Sequence, residues 1–173
     1  MAKCSVFPIG ETLGVIIDEA EKVLRKKFHL EPVSSEVLPP VTYGIRDGQL
    51  LADVLLQEVL NAKPENHLFA AGITPYDIYS DNLNFVFGIG LPFKSCIVSY
   101  ARLYSRNEEL FLLRFRKEIT HEMGHVFGLS HCPNPYCVMH FSNSLADTDR
   151  KGEDFCPYCQ EKLNVVMVKL GLM

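Results

Sequence analysis

In His121-Glu122-Met123-Gly124-His125 two histidines stand four residues apart, so on a helix their rings lie one turn above each other and can share a cation. Gly128 follows, and a glycine there can end the helix in a sharp turn that brings His131 back as a third nitrogen ligand. Three nitrogens leave one position of a tetrahedral zinc open for water, the arrangement of a catalytic site and not of a closed structural one. Zinc lowers the pKa of its bound water toward roughly 7, and a carboxylate beside it can take the proton as the water attacks a carbonyl carbon. Glu122 is that carboxylate: next to His121, it projects about 100° from the ligand stripe, near the open side without competing to bind. Residue frequencies alone produce the full spacing, glycine and third histidine included, about 3 times in 100,000, so the extended motif is far more specific than its first five residues.

A second cluster follows at once. Cys132 and Cys137 form one close pair, Cys156 and Cys159 another, and these four of the six cysteines fall in the last 42 residues. Each pair is spaced as a chelating half-site, and four thiolates close a structural zinc. Such an ion would order the segment from 132 to 159 without a core, because metal-binding free energy becomes folding free energy. Disulfides within or between the pairs, or redox chemistry at Cys156-Pro157-Tyr158-Cys159, are the rival readings; the clustering, in a chain expected to stay in a reducing compartment, favours metal.

The elements that must position these groups are also visible. From Glu108 to Phe127 the pattern is helical, and Ile119, Met123, Val126 and Phe127 occupy a stripe apart from the histidines that can bury against a sheet. Upstream, Lys3 to Ile9 reads as a strand and Glu11 to Phe28 as a helix, followed by a strand from Pro32 to Leu38 that Pro39-Pro40 ends. Asp47-Gly48 precedes an amphipathic helix through Leu60; Leu68 to Ile73, Asn84 to Ile89 and Ser95 to Leu103 then read as strands. A mixed sheet backed by two helices follows, hence an α+β fold. From His131 to Cys159 the chain is rich in Pro, Asn, Ser, Asp and Cys, and only Gln160 to Leu172 reads as helix again.

With 173 residues, 47% hydrophobic and 22% charged, the chain has the size and composition of one globular domain. Its 17 basic against 21 acidic side chains give a net charge of −4, which supplies no general attraction to nucleic acid or to anionic membranes. In the cysteine-rich segment Arg150 and Lys151 face Asp147, Asp149, Glu153 and Asp154, so a nucleic-acid-binding zinc module is disfavoured. Pro8, Gly10 and Glu11 break the apolar N-terminal stretch before it can serve as a signal core, and Gly88, Gly90 and Pro92 break the run from Phe85 to Phe93. A cytoplasmic product with no membrane span is expected.

His121-Glu122-x-x-His125-x-x-Gly128-x-x-His131, followed by Cys132, Cys137, Met139, Cys156 and Cys159, resembles the archaemetzincins, a branch of the metzincin zinc metalloproteases. Thr74-x-x-Asp77, the run from Asn84 to Gly88, and Val98-Ser99-x-x-Arg102-Leu103 are similar to family segments upstream. The resemblance implies a zincin-like fold: a twisted mixed sheet with a backing helix and an active-site helix above a cleft (1–128), and a small irregular, zinc-stabilised lower subdomain (129–173). Met139 matches the Met-turn methionine that forms an apolar floor under the metal, and Ile97 to Leu103 resembles the cleft-edge strand that pairs with extended peptides. Two departures stand out. Sixteen residues separate Met139 from Cys156, one fewer than the family spacing, and Phe141 stands where some metzincins carry a tyrosine that can stabilise the oxyanion.

The expected protein is therefore a monomeric zinc-dependent peptidase acting on a peptide or protein substrate, with two zinc ions per chain. His121, His125 and His131 hold the catalytic zinc, Glu122 is the general base, and Cys132, Cys137, Cys156 and Cys159 hold the structural one. Whether it acts as an endopeptidase or an aminopeptidase is open at this point, and a non-catalytic zinc- and peptide-binding module on the same scaffold is the alternative. His29 and His67 are expected to take no part; His140 is expected to be structural or solvated, with assistance to the chemistry as the alternative, and Glu118 to lie exposed on its helix, with orientation of a ligand imidazole as the alternative.

Overall fold

The computed structural model describes residues 1–173. In chain order the elements are β1 (Lys3–Pro8), α1 (Gly14–Phe28), β2 (Glu31–Ser34), β3 (Leu50–Leu51), α2 (Ala52–Ala62), β4 (Phe69–Thr74), β5 (Ile78–Tyr79), β6 (Gly88–Leu91), β7 (Ser95–Ser99), α3 (Glu108–Val126), α4 (Leu145–Arg150) and α5 (Pro157–Lys169). Five strands form one sheet in the order β2-β1-β4-β7-β6, parallel except for β6, and β3 and β5 pair separately. This is the mixed α+β architecture expected from the sequence.

Strand alternation builds two cores. Val6, Ala71 and Val98 turn to one face of the sheet, where they meet Ile16, Val23 and Phe28 of α1 and Phe115, Ile119 and Met123 of α3. Phe7, Ala70 and Ile97 turn to the other, against Leu55 and Val59 of α2. The core on the α1 and α3 side also takes in Val138, Met139, Phe155, Cys159, Leu163 and Met167, so the cysteine-rich segment and α5 are buried against the same apolar mass. No helix is long and apolar enough to cross a membrane.

Three expectations are corrected here. The run from Ile97 to Leu103 does not form the cleft edge: β7 ends at Ser99 and lies inside the sheet, between β4 and β6. The edge is β6, because the turn at Pro92 to Lys94 folds it back antiparallel on β7, pairing Gly88 with Val98 and Leu91 with Ser95. Past Ser99 the chain turns away from the ladder, with the Leu103 N–H donating to the Tyr100 carbonyl. The second strand is shorter than expected, Glu31–Ser34, and Leu38 keeps only an isolated bridge to Ile9. Finally, the irregular segment contains α4, whose N-terminus is capped by the Ser144 hydroxyl accepting from the Asp147 N–H. Its six residues bury only Thr148, so no apolar stripe marks it in the sequence.

Polar contacts dock α4 on α3. Arg114 grips Asp149 through two bonds of 2.8 Å, and the Lys117 ammonium donates to the Thr148 carbonyl at 3.0 Å. The Arg114 guanidinium holds the Asp149 carboxyl below its ordinary value. A carboxyl depressed in the folded state stabilises it above the unfolded-state pKa, and that contribution is lost as pH falls through the folded value. Asp149→Asn is therefore expected to cost under about 1 kcal/mol at pH 7, since the pair is partly exposed. In urea titrations at several pH values, its difference from the wild type should shrink as pH falls below about 4.

Candidate active site

Helix α3 carries the motif and is well specified. The Asn107 side chain caps it by accepting from the Leu110 N–H at 3.2 Å, and Glu108 and Glu109 complement the helix dipole in the first turn. Phe111, Phe115, Ile119, Met123 and Val126 recur every three or four residues and bury one stripe, which presents His121 and His125 on another. The helix stops at Val126. Gly128 then adopts a φ of 86°, a left-handed conformation costly for any residue with a Cβ, and the Leu129 N–H closes the turn on the Gly124 carbonyl. The reversal delivers His131 to the other two histidines.

The three rings converge. Nε2 of His125 lies 3.2 Å from Nε2 of His121 and 3.2 Å from Nε2 of His131. Nδ1 of His121 donates to the Val138 carbonyl at 2.7 Å, and Nδ1 of His125 to the Leu129 carbonyl at 2.8 Å. With the protons on Nδ1, the facing Nε2 atoms are lone pairs that repel unless a cation lies between them. Nitrogens bound to one tetrahedral zinc at about 2.0–2.1 Å stand about 3.3 Å apart, so the observed spacing fits a shared zinc. Burial lowers the proton affinity of all three rings, most for His121, where the Lys151 ammonium adds to it. The imidazoles are thus neutral and free to ligate near pH 7.

Glu122 is buried beneath β6, so close that a Cβ on Gly88 would fall 2.8 Å from its Cγ. Burial, and then the neighbouring Glu118, push its carboxyl well above the usual range. It faces a cleft of about 290 Å³ that also holds the three histidines, with Phe85, Phe87 and Phe141 among its apolar lining. Met139 is fully buried against α3, where a Cβ on Gly124 would overlap its sulfur. Gly124→Val is accordingly expected to cost about 1–3 kcal/mol through overpacking, measured as a lower denaturant midpoint.

The four cysteine sulfurs lie within 4.8 Å of one another, all as free thiols, with Cys132 and Cys156 at 3.9 Å. A disulfide needs about 2.05 Å. Sulfurs sharing one zinc at about 2.3 Å stand about 3.8 Å apart, so the cluster has the shape of a chelate. Backbone N–H groups of Met139 and Cys156 already donate to the Cys137 sulfur at 3.4 and 3.3 Å. A backbone hydrogen bond from Cys159 brings the Cys156 thiol down to about 7, while burial pushes Cys137 and Cys159 up.

Around these groups some expectations change. Glu118 is not an exposed helix residue: it is 2% exposed, accepts from Thr148 Oγ1 at 2.9 Å and pairs with Lys151 at 3.3 Å. Lys151, which the sequence shows only as one of two basic residues among the carboxylates of the cysteine-rich segment, is buried behind His121; no local pattern reveals this, because Glu118 lies 33 residues away on α3. Nδ1 of His140 lies 2.8 Å from the Cys132 carbonyl and braces the turn. The Phe141 ring packs 5.1 Å from His131 and brings no hydroxyl to the cleft. His67 pairs with Ser5, and His29 with the Leu172 carbonyl, both apart from the three histidines and Glu122.

A mixed sheet over a helix bearing H-E-x-x-H, with a third histidine returned by a glycine turn and a buried methionine packed on that helix, defines a metzincin-type zinc metallopeptidase. Residues 51–165 match the family model described as Peptidase family M54. The chain is 46% identical to the archaemetzincin of Methanopyrus kandleri over 127 residues, 73% of this chain and 72% of the relative. It is 38% identical to that of Methanocaldococcus jannaschii over 165 residues, 88% and 90% of the two. The crystal structure of the Methanopyrus kandleri archaemetzincin superposes with a TM-score of 0.85 at 36% identity, covering 96% of each chain. That of Archaeoglobus fulgidus, complexed with malonate, gives 0.82 at 32% identity, covering 92% of this chain and 99% of the other. The chain belongs to peptidase family M54, the archaemetzincins, and is a zinc metallopeptidase.

Proposed function

We propose that His121, His125 and His131 hold the hydrolytic zinc and that Glu122 moves the proton in peptide-bond cleavage. The observation that carries this assignment is the approach of Nε2 lone pairs to 3.2 Å beside a buried carboxylate. A zinc ion held by these three rings would supply Lewis-acid polarisation of the scissile carbonyl and a more acidic water. Glu122 accepts a proton from that water and returns it to the leaving amine. Val138 and Leu129 hold the His121 and His125 rings in the ligating tautomer through their carbonyls. Edge strand β6 borders the cleft and offers unpaired backbone groups to an extended peptide substrate. Phe141 supplies no oxyanion donor to the cleft.

A second zinc on Cys132, Cys137, Cys156 and Cys159 would hold the lower segment, 129–173, to the upper part, 1–128. Free thiols throughout suit a reducing compartment such as the cytoplasm, and a monomer acting on peptide or protein substrates, without nucleic acid or membrane, is the simplest form. No observation favours the non-catalytic module. Digestion of a defined peptide library by the zinc-loaded chain tests the proposal, and the products distinguish endopeptidase from aminopeptidase cleavage. No cleavage of any member by protein carrying zinc at both sites would overturn it.

A further inference from the structure

Lysine side chains are almost never fully enclosed without a partner, yet that of Lys151 is 0% exposed. Its ammonium lies 3.3 Å from Glu118 Oε1, 3.2 Å from the His140 carbonyl and 3.4 Å from Nδ1 of His121. The first two are acceptors. The third is a donor, because Nδ1 of His121 gives its proton to Val138 at 2.7 Å. Two donors therefore stand side by side, and Glu118 and the His140 carbonyl are what draw the ammonium protons away from the ring. Thr148 fixes the carboxylate for this task through its hydroxyl bond to Oε1 at 2.9 Å. Were Lys151 to donate to Nδ1 instead, the ring proton would reside on Nε2, the atom that faces the other two histidines. The same lysine ends α4, its N–H donating to the Asp147 carbonyl, and joins α3 to the residue after Met139.

We propose that Lys151, held by Glu118, is a positioning residue for the histidine metal site: by tying the His140 carbonyl to Glu118 of α3 it clamps the Val138–His140 turn, and so keeps the Val138 carbonyl where it holds His121 in its ligating tautomer. The proposal rests on the assignment of His121 as a ligand. Stability alone gives the pair little reason to be charged, since buried ion pairs are often replaced by apolar or neutral groups without loss. A positioning role and a purely structural one therefore make different predictions once both charges are removed together.

The test compares Lys151→Met with the double variant Glu118→Gln/Lys151→Met in the full chain. The single variant leaves Glu118 buried and unpaired and should melt below the wild type; the double variant should recover most of that loss. Zinc affinity is then read by competition with a chromophoric chelator, and cobalt substitution separates the sites because only thiolate ligation gives strong charge-transfer absorption. We expect histidine-site affinity about 10- to 100-fold weaker in the double variant, with retention at the cysteines unchanged. Histidine-site affinity within about twofold of the wild type would overturn the proposal and leave the pair a structural contact. Wild-type protein that binds metal at the cysteines but never at the histidines would instead overturn the ligand assignment, and the proposal with it.

Discussion

Glu122→Ala is expected to slow peptide hydrolysis by about 100- to 10,000-fold, the usual contribution of a positioned acid–base group, while the zinc content of the chain stays the same. The two halves of this outcome have separate causes. Glu122 is not among the three converging rings, so its removal takes no ligand away. Its carboxyl, raised by burial beneath β6 and facing the cleft, is the proton acceptor in the proposed mechanism, and alanine leaves no such group there. Metal analysis and turnover measured on one preparation check both halves, together with a melting curve near that of the wild type. Unchanged turnover would remove Glu122 from the mechanism.

Cys156→Ser is expected to do the reverse, costing folding before chemistry. On the proposed assignment, a structural ion at these four sulfurs would contribute its binding free energy to the fold and tie down a segment with little regular structure. A loss of several kcal/mol corresponds to a fall in Tm of roughly 10 °C for a chain of this length. The wild type should also be sensitive to chelators in thermal scans, and the variant should not. The damage would reach the cleft indirectly: Val138, Met139 and Lys151 all lie between Cys132 and Cys159, and all touch or support α3. Near-native melting of Cys156→Ser would show that the cysteines hold no structural metal. Opposite phenotypes in the two variants would separate the chemical centre from the folding centre.

The convergence of His121 and His125 was legible because it is local: residues four apart on a helix share a face whatever surrounds them. His131 follows from one further local fact, the left-handed turn at Gly128. The same holds for the two cysteine pairs, each spaced to chelate, and for the apolar stripes of α1, α2 and α3. The burial of Glu118, which was expected to lie exposed, and that of Lys151 were not legible for the opposite reason. An acidic residue on a helix and a lysine after an arginine look solvated until another element covers them, and what covers them is set by how α4 docks on α3.

Strand order shows the same division. Composition and alternation marked Asn84 to Ile89 and Ser95 to Leu103 as strands, where the structure has Gly88–Leu91 and Ser95–Ser99, but could not say which lies outside, since edge and interior strands share the same alternation. Hairpin closure at Pro92 to Lys94 and parallel pairing of β7 with β4 decided it, placing β6 at the cleft. By itself, then, the amino-acid sequence determined the donor atoms and their grouping, because ligand type and short-range spacing are properties of neighbouring residues. Only the tertiary structure decided which charges are buried behind the rings and which strand borders them, because burial and pairing arise from elements far apart in the chain.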